Sequence, residues 1–126
     1  ALEKAKRVDE IHKANIRKAF KAGVKIALGT DCAGCEPMDH GFNALELEFF
    51  VRDIGMSPME AIVVGTKGSA EALNIEESVG TIEKGKLADI LVVEGNPLDD
   101  IRILTNTKNI KKVFVGGELL KGDEIY

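Results

Sequence analysis

The sequence predicts an α/β fold that gives way to a mainly β region toward its end. Three observations carry that expectation. A helical pattern feeds the short apolar run Val24-Lys25-Ile26-Ala27-Leu28. Two more helical patterns follow, the second opened by Ser57-Pro58-Met59-Glu60. From Gly80 onward, short β-branched runs alternate with glycine-bearing turns.

Residues 2–22 read as an amphipathic helix, with Val8, Ile11, Ala19 and Phe20 near helical spacing among charged residues and Gly23 as the stop. Residues 24–28 read as a buried strand ending in Gly29-Thr30-Asp31, and a helix feeding such a strand is half of a repeating βα unit. Residues 32–42 carry Gly34, Pro37 and Gly41 without periodicity and read as a long loop. Leu47, Phe50 and Ile54, with Leu45 paired to Phe49, place a helix over 43–54 that stops at Gly55. Ser57 and Glu60 form a capping-box pattern with Pro58 at the first helical position, so a helix over 58–73 follows, ended by Asn74. Gly65 and Gly68 inside it weigh toward close packing against a neighbour over a ligand role.

The later segments Thr81-Ile82 and 88–94 read as strands joined by a turn at 83–86. Asn96-Pro97 breaks the chain before a short helical turn over 98–104. Val113-Phe114-Val115, Gly116-Gly117 and Glu118-Leu119-Leu120 spell a hairpin, because two glycines supply the positive φ angles of a tight turn. The natural division is 1–78 and 79–126. One strand cannot make a parallel sheet, and a few terminal strands leave edges open, so the pieces do not seal into a complete architecture.

Composition narrows the function classes. The chain has 126 residues, 44% apolar and 30% charged, enough for one ordinary domain or pieces of two. No run approaches the length of a membrane span and no leader-like segment opens the chain, so the expectation is a soluble, cytoplasmic protein without membrane partners. Net charge is −4, and only Lys108, Lys111 and Lys112 cluster, which argues against nucleic acid as a partner. No phosphate-cradling glycine loop and no Gly-x-Ser-x-Gly elbow is present, which removes nucleotide and serine-hydrolase chemistry.

Asp31 is the first candidate for chemistry. A carboxylate at the end of a buried strand can bind a metal, take a proton from a metal-bound water, or cap the following turn. Cys32 and Cys35 have C-x-x-C spacing, but no second such pair exists to complete a zinc site. Two unpaired loop thiols is the plainer reading, and a redox or zinc protein built on them the rarer one. His40 can contact substrate, ligate a metal or lie at the surface. His12 reads as a packing or surface residue of the first helix.

The ordered set Gly29-Thr30-Asp31, His40-Gly41 and 55–62 (Gly-Met-Ser-Pro-Met-Glu-Ala-Ile) resembles the closing part of the amidohydrolase superfamily. So does 80–93 (Gly-Thr-Ile-Glu-Lys-Gly-Lys-Leu-Ala-Asp-Ile-Leu-Val-Val), followed by Asn96-Pro97-Leu98. The branch it most resembles holds the imidazolonepropionase and Xaa-Pro dipeptidase-like enzymes. The resemblance implies the C-terminal fragment of a (β/α)8 barrel, with 24–28 as its last strand, followed by part of a small β-sandwich. It implies a metal-dependent hydrolase of C–N bonds, with zinc or another divalent metal and a small-molecule amide substrate. Asp31 would be both metal ligand and proton shuttle, and His40 a substrate contact.

The departures are as informative. The family's His-x-His pair, its carbamylated lysine or glutamate and two further histidines have no counterpart here, and a full barrel takes about 250 residues. The expectation is therefore a chain inactive alone, holding no metal tightly and lacking an N-terminal barrel segment. The alternative is a non-catalytic remnant that self-associates through open strand edges, as a homo-oligomer or domain-swapped dimer.

Overall fold

The structure is a computed structural model that describes residues 2–31, 41 and 43–120. Helix α1 (Leu2–Lys21) is followed by Gly23 at φ +74°. The chain then crosses 24–31 without entering a helix or a ladder. Helix α2 (Leu45–Phe49) widens into a π-helical turn (Phe50–Ile54) that ends on left-handed Gly55, whose N–H bonds the Phe50 carbonyl. Helix α3 (Pro58–Val63), a second π-helical stretch (Val64–Gly68) and α4 (Ser69–Ala72) form one continuous rod, which ends with Asn74 at φ +57°.

The capping box forms as its residues dictate. The Glu60 N–H donates to Ser57 Oγ at 3.3 Å, and the Ser57 N–H donates to Glu60 Oε2 at 2.7 Å. The two glycines of the rod sit where another segment presses close. A Cβ on Gly68 would lie 3.0 Å from the Ile26 carbonyl oxygen, and one on Gly65 2.9 Å from Leu47 Cδ2. Close packing is thus what both positions serve. The core gathers at this junction: Phe50, Ile54, Met56 and Ala61 are buried, with Ile16, Phe20, Ile26, Leu28 and Leu47 packed on them.

The segment 24–28, expected as a strand, packs against the helices and has no ladder partner among the described residues. A strand is defined by its neighbours, and apolar β-branched residues alone do not supply one. Thr81-Ile82 is not a strand; Ile82 is exposed and Thr81 Oγ1 accepts a hydrogen bond from Lys86 Nζ. The short helical turn lies slightly later than expected, as a 3-10 helix over Ile101–Thr105 opened by the Asp100 carboxylate, with Ile101 buried beneath it.

Strands β1 (Ile90–Val93), β2 (Ile110–Val115) and β3 (Glu118–Leu120) form one antiparallel sheet in the order β1-β2-β3. The register sets Leu91 beside Val113 beside Leu120 on one face, and Ile90 beside Phe114 beside Leu119 on the other, with a bulge between Val92 and Val93. The β2–β3 hairpin turns on Gly116 and Gly117, at φ +58° and +88°, as their sequence requires. Asp89 locks that turn by accepting the Gly116 N–H at 2.7 Å.

Candidate functional site

Asp31 stands exposed at the end of the 24–31 segment with φ +50°, one of two non-glycine residues at positive φ among those described. That region disfavours L residues, aspartate and asparagine less than others. Two side chains hold the approach to it. The Leu28 N–H donates to Ser69 Oγ at 3.1 Å, and the Gly29 N–H to Glu46 Oε1 at 3.3 Å.

Beside this segment lies a cleft of about 550 Å³ between α1 and the α2 region, lined by His12, Lys13, Gly29, Thr30, Asn43 and Glu46 among others. His12 is an exposed residue of α1, in keeping with its reading as a helix surface position, yet it borders this cleft. An ionic cluster closes the cleft on Asp53. The Arg52 guanidinium grips the Asp53 carboxylate at 2.8 Å, Lys13 lies 3.9 Å away, and Arg17 donates to the Asp53 backbone carbonyl. The hydrogen bond from Arg52, aided by the charges of Arg52, Lys13 and Arg17, holds the Asp53 carboxyl below the usual range. This cluster ties α1 to the core turn, so its evident work is structural.

Cys32, Cys35 and His40 lie outside the described residues. Among the described residues no group of three or more His, Cys, Asp or Glu side chains could hold a metal ion. Asp31 is a single carboxylate, and the described donors do not by themselves fit a divalent ion, which takes three or more protein ligands in catalytic zinc sites. Sequence reasoning missed Glu46. A glutamate in a first helical turn is ordinarily explained by the helix dipole, and its partner Gly29 is remote in sequence.

Residues 1–120 match one family model, described as "Amidohydrolase family". The chain belongs to the amidohydrolase family. Ochratoxinase of Aspergillus niger is 41% identical over 108 residues, covering 85% of this chain and 22% of the relative. Its crystal structure matches with a TM-score of 0.79 over 88% of this chain. Imidazolonepropionase of Thermoplasma volcanium is 29% identical over 105 residues, 82% of this chain and 25% of the relative. A solved Xaa-Pro dipeptidase "with bound methionine in the active site" is 43% identical with a TM-score of 0.76, covering 86% of this amidohydrolase chain and 25% of that one. The chain therefore spans about a quarter of the length of these relatives. No helix among the described residues is long and apolar enough to cross a membrane.

Proposed function

We propose that this chain is the C-terminal portion of a metal-dependent hydrolase that cleaves the C–N bond of a small amide, such as an N-acyl amino acid, a dipeptide or a cyclic amide. The observation that carries the reading is Asp31: an exposed carboxylate, held in an unusual backbone conformation, within a chain that matches the amidohydrolase family over 1–120. On this reading 24–28 is the last strand of a (β/α)8 barrel whose other strands lie outside the chain, and β1 to β3 are part of a small sandwich.

In that setting the Asp31 carboxylate accepts a proton from the attacking water as its oxygen bonds to the amide carbon. It returns the proton to the nitrogen as the C–N bond breaks, giving an amine and a carboxylic acid, as two molecules from an open-chain amide or within one molecule from a cyclic amide. A divalent metal such as zinc, when bound, supplies acidity to that water. Its ligands would come mostly from outside the described residues, with Asp31 contributing one. His40 is the proposed substrate contact.

The test is elemental analysis of the dialysed 126-residue chain, beside hydrolysis assays on the longer polypeptide that contains it. Near-zero metal on the chain alone is expected, with amide hydrolysis by the longer form falling about 100-fold or more in D31N. One tightly held metal per chain, or full activity in D31N, would overturn the reading. A second reading, a non-catalytic remnant that self-associates, is favoured by one observation: both outer strands, β1 and β3, have an unpaired edge among the described residues.

A further inference from the structure

The approach to Asp31 is anchored by two helices and by no neighbouring strand of the described residues. Ser69 Oγ opens α4 and donates to the Val64 carbonyl at 2.9 Å, which leaves its lone pairs to receive the Leu28 N–H. Glu46, in the first turn of α2, receives the next amide, that of Gly29, on Oε1. Its other oxygen, Oε2, is buried without a partner among the described residues. A buried carboxylate oxygen left unpaired is costly, so packing alone does not account for a glutamate at this position. Asp31, two residues beyond the anchored amide, has φ +50°, in the region that disfavours L residues, aspartate less than most.

We propose that Glu46 is a positioning residue: by holding the Gly29 amide it fixes the Gly29-Thr30-Asp31 segment and so the direction in which Asp31 presents its carboxylate. Ser69 secures the preceding amide from the other helix. The consequence for catalysis rests on the reading of Asp31 given above, whereas the hold on the segment is measurable without it.

The experiment is amide hydrogen exchange by NMR on the 126-residue chain, in wild type, E46A, E46D, E46Q and D31N. In E46A, Gly29 exchanges about fivefold faster or more, while Ala61, whose N–H bonds the Ser57 carbonyl inside the core helix, keeps its rate. E46Q retains a carbonyl acceptor and restores Gly29 toward the wild-type rate. E46D draws the acceptor back by one methylene and accelerates Gly29 selectively, which keeps the test decisive should E46A not fold. An unchanged Gly29 rate in E46D and E46A, or equal acceleration at Ala61, would overturn the proposal. D31N leaves the Gly29 rate unchanged. Full activity of D31N in the longer polypeptide would sink the catalytic reading alone, so the two failures are told apart.

Discussion

Gly80 and Gly85 both hold positive φ, at +93° and +96°, yet they stand in different surroundings. A Cβ on Gly80 would meet Ala70 Cβ at 2.7 Å, with backbone atoms of Lys67 and Thr66 close behind, whereas one on Gly85 would meet nothing within 4 Å. G85A should therefore cost only the backbone term, about 1–2 kcal/mol. G80A adds an overpacking term of about 1–3 kcal/mol, because a helix backbone cannot step aside. Urea unfolding of the two variants checks the ordering; equal losses would mean that the segment after α4 moves freely off the helix. Residues such as these were only partly legible in the sequence. Gly65 and Gly68 announce close packing because a helix interior penalises glycine, and the structure supplies the neighbours, Leu47 and the Ile26 carbonyl. Glu46 announces nothing, because its partner is set by tertiary structure.

At the scale of elements, local chemistry was readable wherever both partners lie within one turn. The Ser57–Glu60 box, the stop at Gly55 and the Gly116-Gly117 hairpin all formed where the sequence puts them. The segment 24–28 finds no ladder partner among the described residues, and the two π-helical stretches leave no local mark in the pattern. The capping box carries a test of both stability and pH. S57A removes the acceptor of the Glu60 N–H and should lower stability by about 1 kcal/mol in chemical unfolding. The hydrogen bond from the Ser57 N–H holds the Glu60 carboxyl below its usual range, with a further contribution from the Ser57 hydroxyl. A carboxyl depressed in the folded state stabilises the fold above its unfolded value, and that stability is lost as pH falls through the lower folded value. Thermal melts should therefore decline with acidification below about pH 4. E60Q should show a shallower decline than wild type, and identical slopes would remove Glu60 from the acid response.

The whole molecule is marked by apolar surface that nothing in the described residues covers. On α1, Val8 and Ile11 belong to the row that the sequence assigns to a buried face, yet they are 57% and 52% exposed, while Phe20 at the other end reaches the core. On the sheet, Leu91, Val113 and Leu120 form a single apolar row across three strands, with Leu91 57% and Leu120 42% exposed. Hydrophobic periodicity marks these faces as apolar, and the described residues leave them exposed. Contiguous apolar faces of this kind drive association in water. The isolated chain should accordingly sediment with a weight-average mass that rises with concentration, and the double variant L91K/L120K should weaken that association about tenfold or more, because two charges would have to be desolvated. Both positions are surface-exposed, so the substitution leaves the Phe50 core intact, which circular dichroism verifies. A strictly monomeric wild type would show that these faces are tolerated in water. Association unchanged in L91K/L120K would move the contact to α1, where V8K/I11K is the corresponding test.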